Sequence, residues 1–124
     1  MRCNDEGREI VKFFEGFRSS VYSCSASKEQ AEDLLVFGLR TAENAVARLV
    51  KPVALNENQF SSLVSFVYNI GSGNFQSSTL RQRLRRKDYS KAALEFAKWR
   101  RANGRILRGL VARRKKEQTL FLKC

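Results

Sequence analysis

Glu15 is the side chain best suited to acid–base chemistry, because it stands among Phe13, Phe14 and Phe17. Desolvation by such neighbours disfavours a charged carboxylate and favours the protonated form that a general acid needs. The plain alternative, a solvated charge on a helix, is equally compatible with the spacing. The remaining reactive groups are the thiols of Cys3, Cys24 and Cys124, too few and too scattered for a disulfide scaffold. Cys3 and Cys124 lie near opposite ends and could bridge if the termini meet, which would leave Cys24 as the odd thiol. The chain has no histidine. That excludes a zinc site of the usual ligand spacing, and also Ser-His-Asp and Cys-His-Asn triads, whose nucleophile requires that base. No metal and no cofactor is expected: Gly71, Gly73, Gly104 and Gly109 read as helix stops and not as a phosphate cradle.

These residues must be positioned by helices. Asn4 or Asp5 caps a first helix with Ile10, Phe13, Phe14 and Phe17 at helical spacing, and Ser19-Ser20 lets it end. Ser27 with Gln30 forms a capping box at the head of a long second helix. Leu34, Leu35, Leu39, Ala42, Ala45, Val46, Leu49 and Val50 keep an apolar face along it until Lys51-Pro52. Asn56 and Gln59 signal another start, and Phe60, Leu63, Val64, Phe66, Val67 and Ile70 are apolar on more than one face, as in a central helix packed on several sides. Leu80 and Leu84 mark a short helix, Tyr89 to Arg101 another, Asn103-Gly104 a break, and 107–122 one or two terminal helices. No segment alternates with period two, so the fold class is all-α.

With 124 residues the chain makes one domain with its own core. No run reaches the roughly 18 apolar residues of a membrane span, and residues 1–10 lack a signal-peptide pattern. The net charge of +12 is uneven: residues 1–80 carry 8 basic and 9 acidic side chains, while 81–117 carry 15 and 3. Such a surface attracts a polyanion, whether an anionic wall polymer, a lipid surface or nucleic acid. It equally fits a solvated face kept for solubility. Tyr89, Phe96 and Trp99 sit at core-like spacings and are not interleaved with the charges, so no specific nucleic acid is expected.

The run Phe14-Glu15-Gly16-Phe17-Arg18, with Tyr22 and Cys24 following, resembles the N-terminal catalytic segment of phage-type lysozymes, the endolysins of glycoside hydrolase family 24. Ser27 to Glu32 resembles the start of that family's long helix, and Asn58-Gln59-Phe60 through Ser65-Phe66-Val67-Tyr68-Asn69-Ile70-Gly71 its buried helix. Ser77-Ser78-Thr79-Leu80, then Gly109-Leu110-Val111 with Arg113-Arg114 and Glu117, continue the likeness in order to Leu120-Phe121-Leu122. The resemblance implies a muramidase that cleaves bacterial peptidoglycan, with Glu15 as general acid. Cys24, nine residues on, stands where the family has an Asp or Cys, and would be the nucleophile or help to position water. A thiolate in that role needs a lowered pKa, for which Arg18 or the basic C-terminal region is available.

One departure separates the chain from that pattern. The family continues after its second active-site residue into a small β-rich lobe that supplies a threonine and one wall of the glycan cleft. Here only Ser25-Ala26-Ser27 intervene before the long helix, and the threonine's offset falls on Gln30. The expected organisation is therefore a single lysozyme-like domain, 1–124, with the β lobe largely absent. It comprises an N-terminal catalytic helix at 4–19, a shortened connection at 20–27, the long helix at 28–51 and a helical bundle at 56–124. The alternatives are an inactive cationic module that binds cell wall or membrane, and an artificial scaffold derived from the family. Loss of a lobe would expose Phe13, Val36 and Phe37, so the expected state is a monomer or weak dimer. The expected location is the host-cell cytoplasm until release to the wall.

Overall fold

The computed structural model describes the backbone of residues 1–22 and 28–123, and the side chains of 1–15 and 33–123. Cys24, Gln30 and Arg18, on which parts of the expected site rest, lie outside the described side chains.

Helix α1, Asp5–Tyr22, begins where Asn4 was expected to cap it: the Asn4 side-chain oxygen accepts from the Gly7 N–H at 3.0 Å. It runs past Ser19-Ser20, so two serines do not terminate a helix that continues through Val21 and Tyr22. Helix α2, Lys28–Val50, matches the expected long helix, ending just before the turn at Lys51-Pro52. Its exit is tied down by Arg81, whose Nε donates to the Leu49 carbonyl at 2.8 Å and whose Nη1 donates to that of Gln76 at 3.1 Å. Part of the basic excess thus satisfies helix ends.

Helix α3, Glu57–Ile70, is the centre of the fold, packed against α1, α2 and the last helix. Asn56 and Gln59 form the expected capping box, with bonds of 2.7 and 2.9 Å. Every residue from Phe60 to Val67 is buried, which explains why no polar face could be read there. Where α1 crosses α3 the helices approach so closely that a Cβ on Gly7 would lie 2.6 Å from Cys3 Sγ and 2.8 Å from Ser61 Cβ. Cys3 is buried there as a free thiol; Cys124, the partner considered for it, lies outside the described residues.

The C-terminal part holds α4, Ser72–Gln76, α5, Thr79–Arg85, and α6, Tyr89–Glu95, which passes into a 3-10 turn at Phe96–Lys98. The helix expected over Tyr89 to Arg101 is therefore shorter. Its last expected residue, Arg101, instead joins Ala102 in strand β1, Arg101–Ala102, paired antiparallel with β2, Arg105–Ile106, in the register Arg101↔Ile106 and Ala102↔Arg105. Asn103 and Gly104 both adopt positive φ, 53° and 78°, as a two-residue hairpin turn demands. Strands of two residues carry no readable alternation. Helix α7, Arg108–Leu122, closes the fold against α3 and α1. Among the described residues this hairpin is the whole of the sheet, and the architecture is mainly α, as expected.

Phe66 anchors the core, meeting Phe75, Phe96 and Trp99 edge-on with centroids 6.3, 5.1 and 5.8 Å apart. Trp99 is packing, as its spacing indicated. Phe13, Val36 and Phe37 are exposed, at 62, 48 and 71% of their surface, as the shortened chain led us to expect; Leu34, read as part of the apolar face of the long helix, is exposed too, at 67%, because it lies at the helix's unpacked N-terminal part.

Candidate active site

Glu15 lies on α1, and its neighbours differ from those the sequence suggested. Phe13 points largely to solvent, with Lys116 Nζ 4.2 Å from its ring centre, and Phe14 meets Phe13 edge-on. The side chain against the carboxyl is Arg113 of α7, whose Nη1 donates to Glu15 Oε1 at 3.3 Å across 98 residues of sequence. An apolar pocket was expected, and an ion pair roofed by aromatic rings is found.

Arg113 is held on every side. Its Nε donates to Glu117 Oε2 at 3.2 Å, and its Nη2 donates to the Ser65 carbonyl at 3.0 Å. The Ser65 hydroxyl donates to the same Glu117 oxygen at 2.5 Å. The guanidinium also lies 5.7 Å from the Phe14 ring centre. Arg114 completes the cluster, with Nη2 donating to Asn69 Oδ1 at 2.9 Å and its guanidinium 4.9 Å from the Phe66 ring centre. Arg114 Nε lies 2.9 Å from Glu117 Oε1 without the alignment of a hydrogen bond, and its Nη1 has no hydrogen-bond partner among the described residues.

Burial divides these groups by role. The Glu15 side chain keeps 16% of its surface in contact with solvent, while Arg113 keeps 2% and Glu117 none. Glu15 can therefore meet a ligand, and the others act from beneath it. Burial pushes the Glu117 carboxyl above the usual range, opposed by Arg114, Arg113 and the Ser65 hydroxyl. Burial pulls the Arg114 guanidinium down to about 10, so it stays charged at neutral pH.

The sequence places Arg113, Arg114 and Glu117 within its closing motif without giving them a role. Their i, i+3 and i, i+4 spacing is the signal that two arginines share one glutamate on a helix. Nothing in spacing shows that Ser65 and Glu15 join them. A groove of about 810 Å³ between α1 and α7 is lined by Glu6, Glu9, Ile10, Lys116 and Leu120 but not by Glu15. It lies apart from the site. No cluster of metal-binding side chains occurs among the described residues.

Comparison with known proteins places this chain in a family. Residues 24–117 match the family model described as phage lysozyme. The endolysin of Bacillus phage B103 is 38% identical over 144 positions, covering 98% of this chain and 54% of that protein. The endolysin of Acyrthosiphon pisum secondary endosymbiont phage 1 is 34% identical over 143 positions and covers 98% of both. In three dimensions the muramidase domain of SpmX from Asticaccaulis excentricus superposes with a TM-score of 0.83 at 30% identity, covering 99% of each chain. The chain belongs to the phage lysozyme family. It spans about half the length of the Bacillus phage endolysin.

Proposed function

We propose that this chain is a peptidoglycan-hydrolysing muramidase in which Glu15 is the general acid. The observation that carries the reading is the Glu15–Arg113 pair: a partly exposed carboxyl fixed by a buried, fully engaged guanidinium. Glycosidic cleavage through an oxocarbenium-like transition state needs a proton delivered to the leaving oxygen. Holding the donor in one orientation contributes by sparing the entropy of finding it. Arg113 divides its charge between Glu15 and Glu117, so it orients the acid without being neutralised by it alone.

Cys24 serves as the second residue in this reading, as nucleophile or as a group that positions water. Support comes from its place in the motif, nine residues after Glu15. The alignment with the Bacillus phage endolysin spans 144 positions against 124 residues here, which supports a chain shortened relative to that protein's matching part. The substrate is the glycan strand of the bacterial wall, and the exposed basic side chains of 83–116 favour adsorption to that anionic polymer or to lipid. The protein waits in the cytoplasm until release; no helix among the described residues is long and apolar enough to cross a membrane.

A second reading, an inactive cationic binding module, is favoured by that same exposed charge. Turbidity loss of outer-membrane-stripped Gram-negative cells separates the two. Lysis by the parent that is abolished in Glu15→Gln and persists in high salt supports hydrolysis. Equal effects of both proteins, fading with salt, would overturn it.

A further inference from the structure

We propose that Glu117 is a positioning residue for Glu15, acting through Arg113: it fixes the guanidinium and takes a share of its charge that would otherwise fall on Glu15 alone. The inference rests on the reading of Glu15 as an acid and assigns a role to a group that cannot touch substrate, since no part of the Glu117 side chain is exposed.

The geometry gives Arg113 two carboxylates on opposite edges. Nη1 faces Glu15 at 3.3 Å, and Nε faces Glu117 at 3.2 Å. The third edge is closed by the Ser65 carbonyl, so the planar guanidinium has no alternative seat. Glu117 is itself held by the Ser65 hydroxyl and lies beside Arg114, whose charge it also balances. Arg113 faces Glu15 directly, and Lys116 of α7 lies over the Phe13 and Phe14 rings that precede Glu15 on α1. From α3, Ser65 and Asn69, both uncharged, reach Glu117 and Arg114.

Removing the Glu117 charge then has two effects of one sign. Arg113 is left to Glu15 alone, and the repulsion between the two carboxylates disappears. Both favour ionised Glu15, so the acid loses its proton at lower pH.

The test is a carbon-13 carboxyl titration of Glu15 by NMR in the parent and in Glu117→Gln, beside the pH profile of hydrolysis. Glu15 is expected to titrate lower in the variant than in the parent. The alkaline limb of kcat should move down with it, while KM changes less than twofold. Ser65→Ala, which removes only the hydroxyl bond to Glu117, should shift both in the same direction by a smaller amount, and reads the same coupling if Glu117→Gln fails to fold. An unchanged Glu15 titration in the folded variants overturns the inference, whatever the activity. A shifted titration in a parent protein without hydrolysis would instead uphold the Glu117–Arg113–Glu15 coupling and reject the enzymatic reading.

Discussion

Arg113 and Glu15 meet at 3.3 Å although 98 residues separate them, and that contact joins the first helix of the chain to the last. The pair is asymmetric: the guanidinium is buried and fully engaged, whereas the carboxyl reaches solvent. Such an arrangement fixes a reactive group at the surface by anchoring its partner in the core.

Arg113→Ala should therefore cost both stability and activity. Removing one partner of a buried pair leaves charge without compensation, for which about 3–5 kcal/mol is typical. Arg113→Lys should recover little of it, because an ammonium cannot present Nε and both Nη groups to Glu117, Ser65 and Glu15 at once. Denaturant unfolding of both variants checks this; a lysine variant as stable as the parent would contradict the account of the fork.

The acidic and basic members of this cluster show how far the sequence could be read. Helix α2 and the capping box at Asn56 and Gln59 were legible, because caps and helical periodicity are local signals. The Phe-rich surroundings of Glu15 were misleading, since neighbours in sequence point to different sides of a helix, and Phe13 turns outward. The hairpin at Asn103 and Gly104 was read only as a break, because its two-residue strands lack a pattern. The role of Arg113 was invisible, being set by how α1, α3 and α7 pack and not by any short motif.

Cys3 should respond to alkali. Burial pushes its thiol up to about 11, so the folded protein retains a proton that the unfolded chain releases above pH 9. Its contribution to stability is then full below pH 9 and is lost as the pH rises toward 11, by up to about 2–3 kcal/mol. Chemical denaturation across that window should show a steeper decline for the parent than for Cys3→Ala. Parallel pH profiles would contradict it.

Asn56→Ala should destabilise α3 by about 1 kcal/mol, because it removes the acceptor for the Gln59 N–H at 2.7 Å. Thermal unfolding should show a Tm lower by a few degrees, while Asn56→Asp, which keeps the acceptor, should stay close to the parent.

Phe13, Leu34 and Phe37 leave apolar surface in water, which favours reversible self-association. Sedimentation at increasing concentration should show a weak dimer that Leu34→Ser with Phe37→Ser reduces. A strictly monomeric parent at all concentrations would reject it.

The most direct test of the central claim uses purified peptidoglycan free of lipid and cells, with new reducing ends counted after incubation. The parent protein is expected to liberate reducing ends steadily, and Glu15→Gln, folded to the same extent, to liberate none above background. Equal release by both, or none by either, would contradict hydrolysis by Glu15.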